Sequence, residues 1–375
     1  TRITILGMFA QLLNSILKGY LNIKGNFLIP GSTGFLYNII IIIFLIISYK
    51  INPILAPIGV AVATIFQYIP YIWAIKNTGY KHRFFVNYKD ENIKKLLILA
   101  LPIIFGVAVN QINQLIDKNL ASFISVRGIS VLSYSVKLNE FVWGILVVSI
   151  VTSIFPTLSK LAIESKQKFK VQIAKTLSTI IYLVTPACIG ILIFSKEIVT
   201  LIFKRGKFDE NDVILVSGVL FYYAIGLIGL GIRDVLSNAF YALKMTRIPL
   251  INSVEMVILN VITSIILSRF MGLNGLALGS SIATIFGAIN LYFKLEKKIG
   301  KIKTKGIINN GKKVLISVLA MAIVSRLIFI ALNMKLSSNL SFIIALLFAG
   351  LTYAIVSVLL RTRQALDILK VILKK

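Results

Sequence analysis

Residues Tyr134–Phe155 read YSVKLNEFVWGILVVSIVTSIF. From Phe141 onward the run is almost wholly apolar, and the stretch is long enough to cross a bilayer, which takes about 20 residues of α-helix. Its first half breaks the pattern. Lys137 and Glu140 stand one helical turn apart on one face. A charge inside a membrane helix is costly, about 2.5–3.5 kcal/mol on insertion scales, and usually faces a cavity or a partner.

Outward from this stretch the apolar windows recur. The chain has 375 residues, 57% of them hydrophobic and only 14% charged, with a mean hydropathy of +0.90. That composition belongs to membrane proteins. Eleven candidate spans fall near 3–20, 30–48, 53–75, 96–117, 132–155, 174–194, 213–241, 248–268, 272–293, 314–332 and 339–360. The runs are too long for strands and do not alternate, so the expected class is all-α and polytopic.

The net charge of +28 would suit a nucleic-acid binder, but its distribution excludes that reading. Loops on one side (18–28, 76–95, 159–175, 244–247, 294–313 and 361–375) carry 28 Lys and Arg; the opposite set carries nine. The positive-inside rule makes the first set cytoplasmic. Residue 1 then starts outside and the C-terminus ends inside, with the basic loops against anionic headgroups.

The chain also repeats itself. GVAVATIF (Gly59–Phe66) returns as GSSIATIF (Gly279–Phe286), 220 residues later. YLNIKGNFLIP (Tyr20–Pro30) returns as YALKMTRIP (Tyr241–Pro249) at nearly the same offset, each a basic turn ending at a proline. The first three spans therefore read as a second copy of the seventh to ninth. A repeat of six helices gives two parallel lobes. The counterpart of 93–240 is expected upstream of Thr1, so the sequence reads as lacking three N-terminal helices.

Polar residues inside the spans are the functional candidates. Gly106, Asn110, Asn113 and Asp117 make one helical stripe, and Ser133, Lys137, Glu140 and Gly144 a second. Asparagines there serve either as interhelical hydrogen-bond glue or as substrate contacts. Lys137 either snorkels to the outer interface or meets an anionic substrate in a wet cavity, with Glu140 placed to neutralise it in part. Arg233 and Asp234 follow Gly226, Gly229 and Gly231; the arginine snorkels inward or binds substrate. Asn252 and Glu255 sit near the inner end of the eighth span. Asn260 and Ser264 share a face, and with Ser280 and Thr284 could offer oxygens to a small hard cation. Arg326 stands alone in an apolar span.

Other chemistries find no support. There is no G-x-x-x-x-G-K-[ST] phosphate loop. The single histidine, His82, lies in a basic loop, and no His, Cys and carboxylate residues have metal-site spacing. Cys188 reads as a buried packing residue. Asp90-Glu91 and Asp209-Glu210 sit beside basic residues in loops. A membrane glycosyltransferase would need acids in a sizeable outer loop, whereas 195–212 is short and basic.

LPIIFGVAVNQINQLIDKNLAS (Leu101–Ser122), YSVKLNEFVWGILVVSIVTSIFPTLSKLA (Tyr134–Ala162) and LIFKRGKFDENDV (Leu201–Val213) together resemble the MurJ/MviN lipid II flippase family, within the multidrug/oligosaccharidyl-lipid/polysaccharide exporter superfamily. The more specific pieces are F-P-T-L-S-K and the loop Arg205, Gly206, Phe208, Asp209. The resemblance implies family helices four to fourteen of a 6+6+2 fold: the remainder of the N-lobe at 1–92, the C-lobe at 93–300, and an accessory helix pair with a basic tail at 301–375. It implies a V-shaped pair of lobes, a cationic cavity for a diphosphate-sugar headgroup, and a groove for the lipid tail. The family has an arginine and an acid at the positions of Lys137 and Glu140, so the lysine keeps the charge but loses the bidentate fork. Arg233, Asn110 and Asn113 complete the expected substrate-binding set.

Some members of that family bind sodium. The matching positions are Asp117, Asn260, Ser264 and Ser280, with Ser264 where a carboxylate is expected. No other cofactor is implied. The expected function is movement of lipid II, or another polyprenyl-diphosphate-linked oligosaccharide, to the outer leaflet of the bacterial inner membrane by alternating access, without catalysis. A cation-coupled drug exporter is the rival within the superfamily, and it should favour acidic cavity residues.

Overall fold

The computed structural model describes residues 2–26, 28–76, 78 and 91–373. His82 and Asp90 lie outside them. Every element among the described residues is helical: α1 (Arg2–Ile23), α2 (Leu28–Lys50), α3 (Leu55–Phe66), α4 (Tyr68–Lys76), α5 (Glu91–Ile124), α6 (Gly128–Trp143), α7 (Ser149–Glu164), α8 (Lys166–Phe203), α9 (Glu210–Ala242), α10 (Arg247–Met271), α11 (Leu273–Ile299), α12 (Lys305–Asn333), α13 (Ser338–Leu359) and α14 (Arg363–Leu373). A π-helical turn, Gly144–Val148, joins α6 to α7.

Ten segments of the described chain are long and apolar enough to cross a membrane. They coincide with the second to eleventh expected spans. The first expected span is a helix of 22 residues, α1, but is not among those ten. Gln11, Asn14, Ser15 and Lys18 dilute its apolar run, and Asn14 is buried with its amide donating to the Thr64 carbonyl at 3.0 Å.

Several helices run past the apolar windows. The 38 residues of α8 span about 57 Å at 1.5 Å per residue, well beyond an oil layer of about 30 Å. Most of the supposed outer loop 195–212 is therefore helix, and only 204–209 separates α8 from α9. Hydropathy marks the oil, whereas the backbone ladder continues into water where charged side chains are solvated.

The chain divides into two compact units, residues 1–88 and 89–375. In the second, α9 is the buried axis. Val213, Leu220, Leu227, Leu236 and Phe240 of α9 are fully buried with Ile180 of α8 and Leu276 and Leu291 of α11. Small residues let α11 close on α9: a Cβ added at Gly226 would come within 2.7 Å of Ser281 Oγ, and one at Gly229 within 3.0 Å of the Ile285 backbone. The pair α12–α13 docks on α8 through Tyr182, Val318, Met321 and Tyr353, and Tyr353 donates to the Tyr182 carbonyl at 2.6 Å. Cys188 is buried between α8 and α9, its thiol 3.0 Å from the Ala224 carbonyl.

The repeat reappears as packing. In the first unit a Cβ on Gly59 would lie 2.3 Å from Phe44; in the second, a Cβ on Gly279 would lie 2.8 Å from Ser264. Gly279 and Ser264 are each 220 positions after Gly59 and Phe44. Gly7 faces Ala61 and Gly226 faces Ser281; Ser281 is 220 positions after Ala61, and Gly226 is 219 after Gly7. Each copy thus uses its glycine at the same helix crossing.

Arg326 now has partners. Its guanidinium binds Glu197 at 3.0 Å and lies over Phe194 and Phe329, 5.8 and 5.2 Å from the ring centres. Phe194 is where α8 kinks, with φ −119° and ψ 22°.

Candidate functional site

The stripe on α5 faces α10 and α11. Asn260 donates its amide to Asn113 Oδ1 at 2.8 Å and to both oxygens of Asp117 at 3.1 and 3.2 Å. Its own Oδ1 accepts from Ser264 at 3.1 Å and lies 3.2 Å from Ser280 Oγ, which also reaches Asp117 Oδ2 at 3.3 Å. Five of the residues picked out in the sequence thus form one network across three helices. Asp117, Asn260 and Ser264 are buried. Asn110 behaves differently, donating to the Gly106 carbonyl of its own helix at 3.1 Å.

The network offers oxygens from one carboxylate, two amides and two hydroxyls. That set, with a single negative charge, suits a hard monovalent cation. The Asn260 amide nitrogen now lies against the carboxylate, so a cation there would require that amide to turn.

Beside the network lies a cavity of about 170 Å³ lined by Gln114, Asp117, Lys118, Ser133, Lys137, Glu140 and Tyr223. Lys137 and Glu140 both open onto it. They do not pair with each other, and neither has a hydrogen bond or ion pair among the described residues. Both are exposed.

Glu140 also lines a second cavity, about 300 Å³, with Asn110, Asn113, Asn139, Trp143, Arg233, Asp234 and Asn260. A third, about 280 Å³, shares Asn110, Trp143, Arg233 and Asp234 and adds Gly106, Ser237 and Ser253. The shared residues make the three neighbours, so one polar face runs along α5, α6, α9, α10 and α11.

Arg233 is turned into this face. Its Nη2 donates to Ser253 at 2.7 Å, and Nη1 lies 3.8 Å from Asp234. Asp234 Oδ2 accepts the indole N–H of Trp143 at 2.8 Å. The π-helical turn begins directly after Trp143, and such turns often accompany functional sites because they rotate the register of a helix.

Some candidates prove structural. Asn252 is fully buried and donates to the Gly287 carbonyl at 3.1 Å. Glu255 is held by Lys294 at 2.8 Å and by the Asn290 amide. The sequence reading also missed residues. Among the described residues, Asn139 Oδ1 and Ser237 Oγ are buried without a hydrogen-bond partner, and both residues line these cavities. Asn139 adjoins Glu140 in the chain but lies off the i, i+3 and i+4 stripe of Ser133, Lys137, Glu140 and Gly144, so spacing does not single it out.

The charges along the face balance: Lys118, Lys137 and Arg233 against Asp117, Glu140 and Asp234. The cationic excess that the resemblance implied is absent from these residues. What distinguishes them is pairing, since Asp117 and Asp234 are hydrogen-bonded while Lys137 and Glu140 have no hydrogen bond or ion pair among the described residues.

Comparison with known proteins adds an independent line. A family model described as "Lipid II flippase MurJ" matches residues 1–348. A probable lipid II flippase MurJ of Vibrio cholerae is 28% identical over 279 residues, covering 72% of this chain and 53% of that protein. One from Thermotoga maritima is 30% identical over 268 residues, covering 70% and 52%. The chain spans about half the length of the curated relatives it matches. Among solved structures, a lipid II flippase MurJ in an inward closed conformation superposes with a TM-score of 0.74 at 27% identity, covering 96% of this chain and 73% of that one.

Proposed function

The chain belongs to the lipid II flippase MurJ family, and on that premise we propose that it carries a polyprenyl-diphosphate-linked saccharide, lipid II, across the bacterial inner membrane by alternating access. One observation carries this reading: Lys137, in a membrane-spanning segment, opens unpaired onto a polar cavity. An ammonium without a partner in such a place is expensive unless an anion visits it.

Lys137 and Arg233 bind the diphosphate. Asn110, Asn113 and the unsatisfied Asn139 meet sugar hydroxyls. Glu140, one turn from Lys137 and lining the same cavity, offsets part of the ammonium's charge through space. A negative-inside potential favours outward movement of an anion by about 2.3 kcal/mol per charge per 100 mV, so transport proceeds without catalysis and without ATP. The basic loops and the C-terminus face the cytoplasm.

Asp117, Asn260, Ser264 and Ser280 would hold a sodium ion once the Asn260 amide turns, and the ion would supply a positive charge against the one carboxylate. Ser264 would contribute only a neutral oxygen, so binding would be weaker than at a site with two carboxylates.

The test is rescue of a bacterium depleted of its own lipid II flippase. The natural gene and Lys137→Arg, which keeps the charge, should both restore growth, and Lys137→Ala should fail at equal membrane abundance. Full rescue by Lys137→Ala would remove the proposed role.

A further inference from the structure

We propose that a basic recess between α8, the linker 300–304, α12 and α14 is a binding site for the phosphate headgroup of an anionic membrane lipid. This goes beyond the transport reading and does not depend on it. The recess has a volume of about 740 Å³. Lys170, Lys175, Lys301, Lys303, Lys305 and Arg363 line it against a single carboxylate, Asp367. None of the six cations has an ion pair or a side-chain hydrogen bond among the described residues.

Topology alone does not explain this arrangement. The positive-inside rule asks only that basic residues lie on one side; it does not ask three separate basic segments to converge. Six like charges around one recess repel one another, and the fold holds them there. Its floor is a buried triad: Asn310 donates to Ser178 at 3.1 Å and to Gln364 at 2.8 Å, and Gln364 donates to Ser178 at 3.1 Å. The triad ties α14 and α12 to α8. Arg363 is placed by its own backbone N–H, which donates to Asn310 at 3.2 Å. Gly300 adopts φ +80°, and a Cβ there would meet the Lys170 ammonium at 3.1 Å. The turn therefore needs glycine both for its backbone and for the room it leaves that lysine.

The position favours a lipid over a soluble anion. The membrane-spanning segments Lys166–Phe203 and Lys305–Asn333 both begin at the recess, which puts it at the level of headgroups. Val171, which is exposed, Ala174 and Ile307 form part of its wall, giving apolar cover for a glycerol and the start of acyl chains. α14 follows the end of α13 as a short amphipathic helix with Ala365 buried against the core, as helices lying in the interface do.

The test uses the intact chain in a neutral detergent, titrated with phosphatidylglycerol, with phosphatidylcholine of the same acyl chains, and with inorganic phosphate. Phosphatidylglycerol should bind at least tenfold more tightly than either, and its affinity should fall as salt rises. The variant Lys301→Gln/Lys303→Gln/Lys305→Gln should lose at least tenfold, and the matching Lys→Arg variant should keep the affinity. Arg205→Gln/Lys207→Gln, at the other end of α8, should change nothing. If the triple glutamine variant fails to fold, Lys175→Gln on the exposed side of α8 should still weaken binding. Equal affinity for the two lipids, equal affinity for free phosphate, or binding unchanged by the lysine substitutions would each overturn the proposal.

Discussion

Asn260 spans both oxygens of the Asp117 carboxylate, 3.1 and 3.2 Å from its amide nitrogen. Asp117 is only 6% exposed, and Asn260 is 1% exposed. Asn260→Ala leaves that carboxylate with one weak partner, Ser280. A buried group left unsatisfied costs about 1–3 kcal/mol, so the thermal midpoint in detergent should drop clearly. Ser264→Ala removes only a donor to Asn260 and should cost less, about 1 kcal/mol.

The same network sets an ion dependence. Sodium chloride should raise the midpoint of the natural chain above that in choline chloride at equal ionic strength. In Asp117→Asn the two salts should give the same midpoint, because the one carboxylate of the oxygen set is gone. A sodium effect that survives this substitution would place the ion elsewhere.

The repeated glycine makes a paired prediction. Gly59→Ala and Gly279→Ala should each destabilise by about 1–3 kcal/mol through overpacking, because their new methyl groups meet Phe44 at 2.3 Å and Ser264 at 2.8 Å. Gly31→Ala, with nothing within 4 Å, should be neutral or stabilising by up to about 1 kcal/mol from helix propensity. Chemical or thermal unfolding of the three variants checks this.

Outside the membrane segments, Arg127 clasps the start of α9, 2.8 Å from Asp212 and 3.3 Å from Asp209. Asp209 caps that helix. The backbone N–H of Asp212, and then Arg127, hold its carboxyl below the usual range, and the two carboxylates hold the Arg127 guanidinium above its own. A carboxyl whose pKa is lower folded than unfolded stabilises above the unfolded value, about 4. That contribution is lost as pH falls through the lower folded value. Arg127→Ala should therefore lower the thermal midpoint at pH 7, and the gap to the natural chain should narrow below about pH 4.

Much of the fold was legible because membrane spans announce themselves by length and apolarity. The repeat was legible too, and its glycines turned out to mark the same crossings. What hydropathy does not carry is where a hydrogen-bond ladder ends, so α8 was cut short at both ends. The Asn113–Asp117–Asn260 grouping could be suspected from stripes, but the facing of three helices is a tertiary fact. Trp143 with Asp234, 91 residues apart, and Arg326 with Glu197, 129 apart, have no local signature at all. The π-helical turn Gly144–Val148 likewise has no motif that marks it in the sequence. Lys137 and Glu140 were readable as residues, but their lack of mutual pairing was not, because spacing on a helix permits a contact without requiring it.

The central claim is that the Lys137 ammonium meets a diphosphate, and binding measures it most directly. The chain in detergent is titrated with a polyprenyl-diphosphate-linked saccharide and with the uncharged polyprenol. Lys137→Gln should weaken the diphosphate ligand about tenfold or more, as expected for a charge-assisted bond of about 1.5–3 kcal/mol, and leave the polyprenol unchanged. Lys137→Arg should bind nearly as well as the natural chain. Equal diphosphate affinity in Lys137→Gln and the natural chain would contradict the account.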